Sequence, residues 1–426
     1  MKHSNHVERA LHNRGVTTMP RSLSASLLII MLILLSACTL PFDEPGATAP
    51  PAIIVTPTPR LDATEAVAQV PPTTVPTESP MGATPEVPSV SEPRLLEQVL
   101  ARGRLVCGVN EDLPGFASPD PNQTGNYRGF DADFCRVIAA AVFGDATAVE
   151  FVPLNVSARF RAVINGDVDV LIRNTTWTAL RDTGLQDDQL GLIRLDFGPI
   201  IFHDGQRFMI REGLTTTSGQ PVVDVAGLFG KSICVIDNTT STLNLRDQMA
   251  ARGLPYIPII KATTDEAFAA YDNEECDAIT SDTSQLVGRR VTLSNPSEHT
   301  ILAEQISREP LAPVVIEHDS QWRDIVSWAI FATIYAEELD VTSRNLSQEL
   351  TSSNPDIQRL LGRSGNIGVN LGLTNDFALN IIREVGNYEE IYNRNLGPET
   401  PFDLDRGPNK AWNKGGGGVL SSPPFR

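Results

Sequence analysis

The 426-residue chain carries 34 Lys and Arg against 52 Asp and Glu, a formal net charge of −18. That balance excludes the clustered basic surface that nucleic acid requires. The His residues beyond the first 38 positions, His203, His299 and His318, are too widely spaced for a metal-ligand cluster, so neither metal nor cofactor is expected.

In chain order, Arg14 and Arg21 precede an apolar stretch, Leu23 to Leu35, that runs into Leu35-Ser36-Ala37-Cys38. Thirteen residues are too few to span a bilayer, which takes about 20. A basic flank, a short apolar core and small residues before a cleavage point mark an export signal over residues 1–37. From 38 to 94 the composition changes, and 13 of the 31 Pro lie between Pro41 and Pro93. Such a segment buries too little apolar surface to fold and reads as a disordered tether, with a coil span on the order of 40 Å. Beyond Arg94 about 330 residues remain, enough for two lobes of ordinary size. No second apolar span is read there.

Arg104 to Val109 predicts a strand, with the loop Asn110 to Phe116 at its carboxyl end. Apolar residues at helical spacing from Asp131 (Phe134, Val137, Ile138, Ala141, Val142) predict a helix, with Asp131 and Asp133 suiting its N-terminus. A strand over Val149 to Val152, an amphipathic helix around Arg159 to Ile164 and a strand over Val168 to Ile172 come next. This alternation predicts an open, mostly parallel α/β sheet. The third strand empties into Asn174-Thr175-Thr176, five residues before Arg181. Ligands of open α/β sheets lie at the carboxyl ends of strands, and an Arg fork suits a carboxylate. Lys231 to Ile236 opens a second unit of the same type, and Thr239, Thr240 and Ser241 stand at the head of a helix through Ala251. A later strand, from Cys276, ends at Asp282. From Gln321 to about Leu339, and in segments to Asn395, the chain is expected to be helical, before a Gly/Pro-rich tail. Loops of the two units could together hold a zwitterion: Arg181 for a carboxylate, Asp282 and the Thr176 hydroxyl for an ammonium.

Apart from Cys38, four cysteines remain: Cys107, Cys135, Cys234 and Cys276. An even remainder in an exported chain suggests disulfides, and four cysteines allow three connectivities, with free buried thiols as the other possibility. The sequential pairing Cys107–Cys135 and Cys234–Cys276 is favoured, because it would staple each unit and leave a hinge free.

Several stretches resemble one known family. Gly129-Phe130-Asp131-Ala132-Asp133-Phe134 is similar to the signature of family 3 extracellular solute-binding proteins, the amino-acid receptors of ABC importers; Ala132 replaces a usually larger residue. Leu105 to Asn110, Arg173 to Thr178 with Arg181-Asp182, Gly397 to Pro401, Leu404 to Gly407 and Pro423 to Arg426 resemble the general L-amino-acid-binding subgroup. The Leu-Ser-Ala-Cys end of the signal resembles a lipobox, which implies a lipid on Cys38.

The resemblance implies a type II periplasmic-binding-protein fold, with lobe 1 from 95–205 and 309–426 and lobe 2 from 206–308. Crossovers are expected near Phe202 to Phe208 and Ile306 to Val314. It further implies that Arg181 holds an α-carboxylate, helped by backbone N–H groups at Thr176 and near Thr239 or Thr240. Asn174, Thr176 and Asp282 would meet the ammonium, Phe116 would pack on the ligand and Trp177 could line the cleft. Val156 stands near a position where the family often has an aromatic. A monomeric, lipid-anchored receptor on the outer face of the membrane, delivering L-amino acids to an ABC permease, is thus expected. An exported cyclic-acid dehydratase on the same fold and a sensor-type binding module are the competing readings.

Overall fold

A computed structural model of the protein describes residues 94–426. The expected export signal, tether and lipidated Cys38 lie outside the described residues. The principal strands are β1 (Leu105–Asn110), β2 (Val149–Leu154), β3 (Val170–Leu171), β4 (Leu195–Phe197), β5 (Phe202–Asp204) and β6 (Gln206–Arg211). They continue with β7 (Ser232–Ile236), β8 (Ile257–Lys261), β9 (Ala278–Asp282), β10 (His299–Ile301), β11 (Glu309–Leu311) and β12 (Val314–Ile316).

Two five-stranded sheets result, of order β2-β1-β3-β12-β4 and β8-β7-β9-β6-β10. In the first, β2, β1 and β3 run parallel, β12 is antiparallel to β3, and β4 is antiparallel to β12. The second repeats the pattern, with β6 as the reversed strand. One reversed strand in each otherwise parallel sheet is the mostly parallel α/β architecture expected. Central position explains β1, whose six residues are all buried and read as an apolar run without alternation.

The helices that flank these sheets near the site are α1 (Phe130–Phe143), α2 (Arg159–Ile164), α3 (Ala179–Thr183), α4 (Thr240–Ala251), α5 (Thr264–Asp272), α6 (Thr283–Arg290) and α7 (Ser320–Glu338). Helix α1 begins at Gly129, whose φ is 128° and where a Cβ would stand 2.3 Å from the Phe116 carbonyl oxygen. Only glycine lets the helix start so close to that loop. One face of the first sheet packs on α1 and α7 in a large core that includes Phe130, Phe134, Trp322 and Ile330. The other covers Leu154, Val163, Leu171 and Val314. The second sheet is likewise covered on both faces.

Both cysteine pairs are bridged sequentially, Cys107–Cys135 between β1 and α1 and Cys234–Cys276 just before β9. Between the sheets runs an antiparallel ribbon, β5 against β11. The tail returns to it: the Asn409 side chain accepts the His203 N–H at 2.6 Å and donates to the His203 carbonyl at 3.1 Å. Arg406 is buried against both oxygens of Glu337 on α7, at 2.9 and 2.7 Å, and Phe425 stacks on Tyr335. The C-terminal motifs are therefore packing elements of the first core. A hairpin, Leu185–Asp187 with Gly191–Ile193, was not foreseen. Among the described residues no helix is long and apolar enough to cross a membrane.

Candidate functional site

The carboxyl ends of β3, β7 and β9 converge on one cavity with ≈ 340 Å³ of unfilled space, open solvent included. Asn174, Thr176 and Arg181 line it from the first sheet, and Thr239, Thr240 and Asp282 from the second. Six of the eight expected ligand residues are thus brought together.

On the first side, β3 ends at Leu171 and the backbone turns at Asn174, with φ 33°. Its N–H donates to Asp131 Oδ2 at 2.8 Å, and its side-chain oxygen accepts from Asn110 at 3.1 Å. Burial pushes the Asp131 carboxyl up to about 7, against the Asn174 hydrogen bond and nearby Arg173. The acid of the Gly-Phe-Asp signature therefore shapes the loop from behind. Thr176 bridges Leu311, and the Trp177 N–H donates to the Pro310 carbonyl at 2.8 Å, which pins the loop to the ribbon. Thr178 caps α3 by accepting the Arg181 N–H at 3.2 Å. The Arg181 guanidinium donates to the Thr176 carbonyl at 2.8 Å and lies 5.3 Å from the Phe160 ring centre. Burial lowers its pKa, opposed by Asp282 and Glu309.

On the second side, Thr239 stands before α4, but its hydroxyl donates to the Ile236 carbonyl at 2.7 Å and the helix has no side-chain cap. The head of this 12-residue helix, Thr239 to Ser241, thus lines the cavity without a side-chain cap, and a helix end of this kind favours an anion. Asp282 ends β9. The residues after it are fixed to the end of β5: the Thr283 N–H and hydroxyl donate to the Gly205 carbonyl, and the Ser284 N–H donates to Asp204 Oδ2 at 3.1 Å. The same ribbon therefore positions both charged groups. Asp282 is 7% exposed and its Oδ1 has no hydrogen-bond partner among the described residues. Its pKa is driven well above the ordinary carboxylate range, by burial first and then by Glu309 and Asp204, with Arg181 and Arg159 opposing.

Two expected residues lie elsewhere. Phe116 is buried in the first core, edge-on to Phe130 at 5.9 Å and Phe202 at 5.5 Å, and takes no part in the lining. Its loop is drawn in over Gly129, so the ring faces the core instead of a ligand. Trp177 stacks on Phe197 at 5.7 Å and donates to Asp182, outside the lining. The lining adds Val156, Arg159, Arg173, Ser281 and Gln285, none of them assigned a ligand role from sequence. The available signal for Arg159 was helical spacing, since Ala162 and Val163, three and four residues on, are buried on its face.

Several known proteins are similar to this chain in sequence and structure. The family model for bacterial extracellular solute-binding proteins, family 3, matches residues 105–345. The general L-amino acid-binding periplasmic protein AapJ of Rhizobium johnstonii is 46% identical over 340 residues, 79% of this chain and 94% of that one. The glutamate/glutamine/aspartate/asparagine-binding protein BztA of Rhodobacter capsulatus is 43% identical over 332 residues, 78% of this chain and 93% of its own. Among solved structures, an ABC transporter/periplasmic binding protein from Brucella ovis with glutathione bound superposes with a TM-score of 0.73. It is 45% identical and covers 78% of this chain and 100% of that one. The chain belongs to the family 3 bacterial extracellular solute-binding proteins.

Proposed function

We propose that this protein is the extracytoplasmic binding component of an ABC importer, taking the α-amino-acid head group of its ligand between two lobes. The observation that carries the reading is the pair Arg181 and Asp282, which line one cavity from different sheets, both buried, with Asp282 Oδ1 unpaired. Buried polar atoms without partners are rare and costly, and a zwitterion would satisfy both groups at once. Arg181 would take the α-carboxylate with N–H groups at Thr176 and Thr240, while Asp282, the Asn174 carbonyl and the Thr176 hydroxyl would take the ammonium. The named relatives are amino-acid-binding proteins, and glutathione, bound in the Brucella ovis protein, carries the same head group on its glutamyl end. An acid–base enzyme on this fold is the less supported reading, since those relatives are named for binding.

We assign lobe 1 to residues 95–205 and 309–426 and lobe 2 to 206–308, with the β5/β11 ribbon as hinge. Hinge closure around a ligand is a motion for which periplasmic binding proteins are a standing example. Closure matters energetically: a unit charge pair at 4 Å gains about 1 kcal/mol in water but about 4 at an effective dielectric near 20. Lipidation at Cys38 would hold the monomer on a tether at the outer membrane face, beside its permease.

The test is calorimetry on the parent, Arg181→Ala and Asp282→Asn with a panel of L-amino acids and glutathione. Removing one partner of a buried charge pair costs about 2–5 kcal/mol. Arg181→Ala is therefore expected to weaken every amino acid roughly 30- to several-thousand-fold. Asp282→Asn should weaken all of them less, because an amide oxygen still accepts a hydrogen bond. A loss confined to one ligand would refute the head-group assignment.

A further inference from the structure

Three buried carboxylates lie together at the base of the site, and of these only Asp282 lines the cavity. Asp204 ends β5 and Glu309 opens β11, opposite one another in the register of the ribbon, while Asp282 faces Gln206 of β6 in the same way. Antiparallel partners carry their side chains on one face, with Cβ atoms about 5 Å apart. The two pairs are joined: Asp204, Gly205 and Gln206 are consecutive, and the Ser284 N–H, two residues after Asp282, donates to Asp204 Oδ2 at 3.1 Å. All four residues are at most 9% exposed.

This cluster is short of donors. Asn244 of α4 and Ser307 both donate to Glu309 Oε1, at 2.7 and 2.6 Å, and Glu309 Oε2 has no partner among the described residues. Gln206 directs its Nε2 to the Ser241 carbonyl and the Thr280 hydroxyl, at 3.0 and 2.8 Å, and its Oε1 is likewise unpaired. Asp282 Oδ1 makes a third such oxygen. The facing cations are Arg181 of α3 and Arg159 of α2, neither in an ion pair with these acids among the described residues, and Tyr392 places a phenol near Asp204.

Buried carboxylates this close cannot all ionise without a counter-charge, and a shared proton relieves them. Burial first, then the neighbouring acids, holds Asp282 and Asp204 above the ordinary carboxylate range, Asp204 at about 6. A proton on a carboxyl supplies one donor, whereas an ammonium supplies three donors and a full charge.

Resting on the head-group reading above, we infer that Glu309 and Asp204 are positioning residues behind Asp282, and that the ligand-free cluster carries a proton which the ligand's ammonium displaces. Capture is then an exchange of cations: the proton leaves a carboxyl for bulk water as the ammonium takes its place. A bound ammonium holds the acid ionised, so affinity is full above the pKa of the free cluster and is lost as pH falls through it.

The test is calorimetry on the full-length protein with L-glutamine and L-alanine, whose side chains do not titrate, in buffers of different ionisation enthalpy. At pH 7 the measured heats should report release of about half a proton or more per ligand bound. From pH 7 down to pH 5 the Kd should rise by about three- to tenfold per unit. Glu309→Gln keeps the size of the side chain and an oxygen for Asn244, and removes one like charge. It should bind more weakly at pH 8 and release less than about half as many protons as the parent at pH 7, and its deficit in affinity should shrink by about tenfold between pH 8 and pH 5. Should Glu309→Gln not fold, the parent's proton count decides. Binding without proton release in the parent, or a folded Glu309→Gln whose deficit does not move with pH, overturns the inference and leaves the head-group reading intact. A parent that binds no amino acid overturns both.

Discussion

Asp131 shows what a shaped binding loop costs. The carboxyl is buried and held at about 7, and Asp204, also buried, is held at about 6. In the unfolded chain such a group titrates near 3.9. Between about pH 4 and 7 the unfolded chain therefore gives up the Asp131 proton while the folded one keeps it, so the folded state loses stability as pH rises through that window. The shift corresponds to up to roughly 4 kcal/mol by linkage. Asp131→Asn cannot titrate, and its amide oxygen can still accept the Asn174 N–H. Urea melts should therefore show the variant gaining on the parent from pH 4.5 to pH 8, and a gap that does not move with pH would refute this account. The residues legible in sequence were those whose chemistry sits in a polar loop after an apolar strand, such as Arg181 and Asp282. Arg159 was not, because an Arg inside an amphipathic helix ordinarily marks the wet face. Phe116 misled for the opposite reason: a loop aromatic invites a ligand, yet the close approach at Gly129 turns it into the core.

At the scale of elements, each disulfide ties a strand to a neighbour across one core. The separations are 28 and 42 residues. On the chain-entropy model each closure contributes about 4 kcal/mol. Non-reducing peptide mapping should recover Cys107 with Cys135 and Cys234 with Cys276, and the double variant Cys234→Ala/Cys276→Ala should lower the unfolding free energy by about 3–4 kcal/mol. A peptide joining Cys107 or Cys135 to Cys234 or Cys276 would exclude the arrangement. Elements with a clear local mark were legible before the structure: β1 and β7 as apolar runs, α1 by helical spacing and α4 by the hydroxyl residues at its head. The expected strand Val168 to Ile172 is a strand over Val170–Leu171, flanked by Asp169 and Ile172, whose N–H groups donate to the Val106 and Gly108 carbonyls of β1. The reversed strands β6 and β12 and the 185–193 hairpin were not legible. Their pairing partners lie far away in sequence or in exposed ribbons, and no local pattern encodes them.

For the whole molecule, the proposed anchor makes a separate claim. Intact-mass analysis of protein extracted from membranes should show a mature chain beginning at a lipidated Cys38; an unmodified Cys38 would remove the tether from the reading. Were that cysteine lipidated on export, the spacing of the other four would have a consequence for biogenesis. Cys135 follows Cys107 by 28 residues, but Cys234 lies 99 residues beyond Cys135 (234 − 135). A chain threaded out of the cell N-terminus first presents its first two thiols together, long before the third emerges. The first bridge can close while every wrong partner is still on the other side of the membrane, and Cys234 then has one thiol left to find. In such an export, order of arrival would do the sorting that an isomerase would otherwise have to perform.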